Sequence, residues 1–109
     1  MKYPLFYPNI HKKDILKEIS DTLSTRWIGE GPKVKTFERK FGEFLGAKYP
    51  VAVNSCTSSL HLAYILAGAK KDTEIIAPVF TCSATFHAIM HTGATPVFAD
   101  IKDDFTIDS

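Results

Sequence analysis

The sequence predicts an α/β fold in which two amino-terminal helices precede alternating strands and helices. Two observations support this prediction. Apolar residues recur at helical spacing in the first half, and short apolar runs alternate with helical segments after residue 48. Such alternation indicates parallel strands joined by right-handed crossovers, with ligand sites at the carboxyl ends of the strands.

The first half contains two predicted amphipathic helices separated by the loop R-W-I-G-E-G-P. The first runs from Lys12 to Ser24, and its apolar face carries Ile15, Leu16, Ile19 and Leu23. Pro32 suits the first turn of the second helix, and Gly46 suits its end. The stripe of this second helix consists of Val34, Phe37, Phe41 and Phe44.

The second half contains three predicted strands, at Tyr49 to Val53, Glu74 to Val79 and Thr95 to Ile101. Helices are predicted between them, one starting near Thr57 and one from about Ser83 to His91. The ending D-D-F-T-I-D-S supplies no clear terminal element. Because three parallel strands leave edges that proteins normally cover, we expect the sequence to be cut short relative to its whole domain.

Composition excludes several classes of protein. The chain has 109 residues, 45% of them hydrophobic, and a net charge of +1, which gives no extended field for nucleic acid. Uncharged apolar runs such as Ile75 to Phe80 are too short to cross a bilayer, and the amino-terminus lacks a signal-peptide core. We expect a soluble, cytoplasmic protein with reduced thiols and no nucleic-acid or membrane partner.

The turn N-S-C-T-S at residues 54–58 is the strongest candidate site. Backbone N–H groups at a helix start lack intrahelical partners and attract anions, and Ser55, Thr57 and Ser58 add hydroxyl donors. The structural alternative is an ordinary N-cap by Ser55 or Thr57, which explains only one of these hydroxyls. The sequence contains neither a Walker A loop nor the dinucleotide-binding motif G-x-G-x-x-G. Cys56 is a possible nucleophile, but a small buried thiol is the favoured interpretation.

Two further features have mainly structural interpretations. His87 and His91 have a metal-ligand spacing, but H-A-I-M-H lacks the glutamate of a zinc protease and no third ligand is evident. We therefore expect no metal site. Trp27 lies in a glycine-flanked loop, where a packing role is slightly favoured over a binding surface.

Four stretches carry a resemblance to a known family: R-W-I-G-E-G-P-K-V-K-T-F-E, V-A-V-N-S-C-T-S-S-L-H-L-A, A-P-V-F-T-C-S-A-T and G-A-T-P-V-F-A-D-I. In this order and spacing the chain resembles the DegT/DnrJ/EryC1/StrS family of nucleotide-sugar aminotransferases, which depend on pyridoxal phosphate. The match covers the amino-terminal third of a typical member. It implies that residues 1–109 are the amino-terminal part of the large domain of a fold-type I transferase.

The resemblance also implies roles for particular residues. The Ser55 to Ser58 turn, Cys56 included, would be the phosphate cup of pyridoxal phosphate, with the N–H groups of Thr57 and Ser58 as the favoured contacts. Cys82 takes the place of an aromatic residue that stacks on the cofactor ring in relatives. The loop residues Trp27, Gly29 and Glu30 are weaker candidates for substrate contact. Asp100 matches a recurrent family aspartate that closes the third strand; it is not the pyridinium aspartate, and no catalytic role is carried over to it.

For the whole enzyme, the resemblance implies a homodimer that transfers an amino group from glutamate to a keto group on a nucleotide-linked sugar, for surface polysaccharide or glycoside synthesis. In the family, the cofactor-carrying lysine and the aspartate at the pyridinium nitrogen belong to segments after Ser109. We therefore expect this chain alone to be inactive. Two alternatives remain: a non-catalytic interaction module with the same partial fold, and a sugar dehydratase that uses the same cofactor.

Overall fold

The structure, a computed structural model, describes residues 6–108. The chain divides into two compact units, residues 1–52 and 53–109, which are described separately below.

The first unit contains the two predicted helices, α1 (Lys12–Thr25) and α2 (Pro32–Leu45). Helix α1 ends at Arg26, whose backbone is left-handed with φ of 58°. Helix α2 has proline in its first turn and ends at Gly46, where φ is 68° and the N–H donates to the Gly42 carbonyl. Both helices confirm the prediction to within a residue or two at their ends.

Side-chain contacts connect the elements of the first unit. The Lys33 ammonium donates to the carboxylate and to the carbonyl of Glu18, each at 2.7 Å, and so joins α2 to α1. The hydrogen bond from Lys33, reinforced by its charge, lowers the pKa of Glu18. Farther along α2, the Glu38 carboxylate accepts the Ala52 N–H at 2.8 Å. The contacts between these elements are therefore made by polar groups.

The apolar faces of both helices are exposed. Among the described residues of this unit only Gly31 and Gly42 are buried. The helical periodicity therefore predicts the helices correctly, but their apolar faces form no core among residues 6–52. The exposed side chains include Ile15, Leu16, Ile19, Leu23, Phe37, Phe41 and Phe44.

The second unit is built from α3 (Cys56–Leu66), β1 (Glu74–Pro78), α4 (Ala84–His91) and β2 (Thr95–Ala99). The strands are parallel, with Glu74 opposite Thr95 and Pro78 opposite Ala99. Helix α4 forms the crossover, contacts both strands and packs against α3. A small core of Ala77, Ile89 and Ala94 lies between them, with Tyr64, Ala69, Ile75 and Phe86 packed around it.

Two strand predictions need correction. Tyr49 to Val53 is not a strand, because a strand requires a ladder partner and the sheet of the described residues contains only β1 and β2. The last strand ends at Ala99, two residues early. Beyond it Ile101 forms an isolated antiparallel bridge with Ile107 across a turn, and no helix or strand follows β2 among the described residues.

Candidate functional site

The turn that precedes α3 has the geometry of a capped helix start. Ser55 is the N-cap, with extended backbone (φ −160°, ψ 157°), and its Oγ accepts the Ser58 N–H at 3.1 Å. The Ser59 N–H donates to the Ser55 carbonyl and begins the regular helical pattern. The N-cap interpretation of Ser55 is thus observed, and it accounts for the Ser58 N–H.

A hydroxyl network surrounds this cap. The Ser58 hydroxyl donates to Asn54 Oδ1 at 2.7 Å, and the Ser55 and Ser58 hydroxyl oxygens are 3.0 Å apart. Asn54 thereby holds the two serine side chains on one side of the turn. Sequence reasoning placed Asn54 in the turn but gave it no role of its own.

The remaining donors of the first turn suit an anion. Among the described residues, the N–H groups of Cys56 and Thr57 donate to no protein acceptor. They lie at the positive end of the helix dipole, and the turn carries no acidic side chain. This donor set fits a phosphate group. The thiol of Cys56 is exposed, which corrects the expectation of a buried thiol, because the first helical position of α3 faces solvent.

The segment after β1 forms the second part of the predicted ligand edge. It follows the carboxyl end of β1 directly, and Cys82 within it is exposed and free. The Thr81 and Thr85 hydroxyl oxygens are 3.1 Å apart across the start of α4. Cys82 is therefore accessible to a ligand at this edge. Residues 49–53, which precede the Asn54–Ser58 turn, form no strand. That this turn lies at the same edge of the sheet therefore stays a prediction.

In the first unit, the loop around Trp27 is folded on itself. The indole N–H donates to the Glu30 carbonyl at 2.6 Å, and a Cβ at Gly31 would lie 2.6 Å from the indole ring. Trp27 thus contacts its own loop, while its side chain is 59% exposed. The same loop borders a cavity of about 510 Å³ that is lined by Thr22, Thr25, Trp27, Gly29, Gly31, Pro32, Lys33 and Val34.

The histidines pair differently from the sequence spacing. The rings of His61 on α3 and His91 on α4 are 5.7 Å apart between centroids, whereas the sequence pattern had paired His87 with His91. His61 and His91 come together only because α3 packs on α4, so no local sequence signal could have identified this pair. Within residues 6–108 no group of three metal-binding side chains is present.

Together these features define an α/β protein with a parallel βαβ unit. The helix before that unit, α3, begins at a capped turn suited to an anionic group. Family comparison makes the assignment specific. The chain belongs to the DegT/DnrJ/EryC1/StrS aminotransferase family, whose model matches residues 9–109.

The names of two relatives refer to sugar metabolism. The chain is 48% identical over 101 residues to the spore coat polysaccharide biosynthesis protein SpsC of Bacillus subtilis, a match that covers 93% of this chain and 26% of SpsC. It is 38% identical over 107 residues to the GDP-perosamine synthase of Escherichia coli O157:H7, covering 95% of this chain and 29% of that enzyme.

The fold agrees with solved structures of the same family. Spr1654 of Streptococcus pneumoniae, described as a sugar aminotransferase and solved in its PLP form, superposes with a TM-score of 0.87 at 36% identity. The superposition covers 97% of this chain and 27% of Spr1654. The predicted α/β fold class, that of part of a PLP-dependent transferase, is thus confirmed. The chain spans about a quarter of the length of the relatives that it matches.

None of the helices within residues 6–108 is both long and apolar enough to cross a bilayer.

Proposed function

We propose that this chain supplies the phosphate-binding part of a pyridoxal-phosphate-dependent aminotransferase that aminates a keto group on a nucleotide-linked sugar. The observation that carries the proposal is the first turn of α3, where the N–H groups of Cys56 and Thr57 have no protein acceptor among the described residues. Membership of an aminotransferase family and likeness to a structure in its PLP form support the choice of cofactor.

The residues of the turn have two different roles, phosphate binding and capping of the helix. The N–H groups of Cys56 and Thr57 donate to the cofactor phosphate, and the Thr57 hydroxyl adds a third donor. Ser55 keeps the helix start in place by capping it. The Ser58 N–H, favoured as a phosphate contact from the resemblance, is held by Ser55 Oγ, so it joins the phosphate only if Ser55 releases it.

Other residues are proposed around the rest of the cofactor and the substrate. Exposed Cys82 contacts the cofactor ring through its polarizable sulfur. Trp27, Gly29 and Glu30 belong to the substrate side, and the cavity beside Trp27 has room for part of a sugar or base. When bound, pyridoxal phosphate supplies an electron sink for the transfer of the amino group.

The partners and setting of the whole enzyme follow from the same proposal. The substrates are a nucleotide-linked keto sugar and glutamate, and the enzyme works as a homodimer in the cytoplasm. The names of SpsC and GDP-perosamine synthase support a role in polysaccharide or sugar-nucleotide synthesis.

An amino-transfer assay tests this function. The whole product of the gene, loaded with pyridoxal phosphate, is incubated with glutamate and a panel of nucleotide-linked keto hexoses. We expect 2-oxoglutarate and an aminated sugar nucleotide in equal amounts, detected by mass spectrometry. A sugar nucleotide that loses a hydroxyl without gaining nitrogen would support the dehydratase alternative and contradict the proposal.

A further inference from the structure

The feature that the proposed function leaves unused is the contact between two histidines on packed helices. His61 lies half-buried in the middle of α3, and His91 lies exposed in the last turn of α4. Their ring centroids are 5.7 Å apart with an angle of 46° between the ring planes. Neither imidazole forms an ion pair or a side-chain hydrogen bond with another described residue.

We infer that His61 and His91 together bind a divalent transition-metal ion of the borderline class, such as Zn²⁺ or Ni²⁺, which bridges α3 and α4. Imidazole nitrogen is a favoured ligand of these metals. The inference concerns the side of α3 that meets α4 and does not depend on the proposed cofactor site.

The ring separation suits a shared metal. With a nitrogen-to-zinc distance of about 2.0 to 2.1 Å and the centroid about 1.1 Å behind the nitrogen, ligand angles of about 105° to 140° put two centroids about 5 to 6 Å apart. The observed 5.7 Å falls within this interval.

The surroundings decide what kind of site this is. Among the described residues no third histidine, cysteine or carboxylate completes a cluster, so water fills the remaining metal positions. Such a site is open and weaker than a four-ligand structural zinc site. The metal stabilises the packing of α3, which carries the capped turn, against the crossover helix α4.

Calorimetric titration of the whole gene product with Zn²⁺ and with Ni²⁺, after removal of metal by a chelator, tests the inference. We expect one equivalent to bind, at least tenfold weaker in H61Q and in H91Q, and unchanged in H87Q. Cys56 and Cys82 remain in every variant, so metal bound by thiols alone contributes equally to all of them. H87Q is the matched control because His87 is four residues from His91 on the same helix.

Three results would overturn the inference: no saturable binding by the wild type, binding that survives H61Q, or binding that H87Q abolishes. The last would show that His87 and His91 chelate the metal within α4 instead. If H61Q does not fold, exposed His91 keeps the question decidable, because H91Q must lose the metal while H87Q retains it. The melting temperature of each metal-free variant checks its fold.

Discussion

At the residue scale, Ser55 links the structure of the turn to its proposed chemistry. Its hydroxyl oxygen occupies the Ser58 N–H, which leaves the N–H groups of Cys56 and Thr57 for a ligand. The sequence predicted both a cap and an anion site at this turn. It could not decide which N–H group each would use, because that depends on side-chain rotamers that only the folded turn defines.

Removal of the cap should weaken α3 measurably. We expect S55A to lower the free energy of unfolding by about 1 kcal/mol, since it leaves the Ser58 N–H without its acceptor. Denaturant unfolding of the whole gene product measures the change. S59A is the matched control, because the Ser59 hydroxyl makes only a long 3.4 Å bond to the Ser55 carbonyl. Equal stability of S55A and S59A would contradict the capping role.

A second residue-scale prediction concerns Glu18. Its pKa is lowered from the ordinary value of 4.5 by the hydrogen bond from Lys33, so the pair stabilises the fold fully above pH 4.5. That contribution is lost as the pH falls through the lowered pKa. We expect the stability of E18Q to fall less steeply than that of the wild type below pH 4.5, by denaturant unfolding at low salt. Identical slopes would refute a stabilising pair.

At the element scale, the helices were predictable and one strand was not. The boundaries of α1 and α2 follow from local periodicity, Pro32 and Gly46, all of which act within a few residues. The apolar run from Tyr49 to Val53 predicts a strand only if a neighbour is there to pair with it. Pairing is non-local, so the sequence of this segment cannot reveal that β1 and β2 pair without it.

The end of α2 offers a sharp test of packing between elements. A Cβ at Gly42 would lie 2.8 Å from Pro50 Cγ and 2.9 Å from the Ala47 carbonyl oxygen. We expect G42A to be destabilising by about 1 kcal/mol, because this crowding outweighs the gain in helix propensity. G29A, where a Cβ meets nothing within 4 Å, serves as the control in the same unfolding experiment. A G42A variant more stable than the wild type would contradict this prediction, because it would show that Pro50 and Ala47 move aside at little cost.

At the scale of the whole molecule, few side chains of residues 6–108 are buried. Among the described residues of the second unit, the buried hydrophobic side chains are those of Ala77, Ala88, Ile89 and Ala94, while large side chains such as Ile76 and Phe98 are mostly exposed. The relatives are about four times longer than this chain. The motifs predicted the family and the fold, because they occur in order along the sequence. The size of the core depends on burial, which no motif records.

Ile89 is the one large side chain that is fully buried among the described residues, so the second unit should depend on it. We expect I89A to cost about 2 to 4 kcal/mol in unfolding free energy, since it opens a cavity between α4 and the sheet. Met90, its exposed neighbour on α4, provides the control M90A, which should change stability by less than about 0.5 kcal/mol. Similar losses in both variants would mean that the small core does not stabilise the unit.

The phosphate role of the turn is tested most directly by the ratio of the affinities of the whole gene product for pyridoxal phosphate and for pyridoxal, which lacks the phosphate. C56P removes one N–H donor, and the fold tolerates it because proline suits the first helical position and Ser55 is already extended. C56A, which keeps the N–H and loses only the thiol, is the control. We predict that C56P lowers the ratio at least tenfold while C56A leaves it unchanged. An unchanged ratio in C56P, or a wild type that binds both compounds equally, would contradict a phosphate-binding role for the turn.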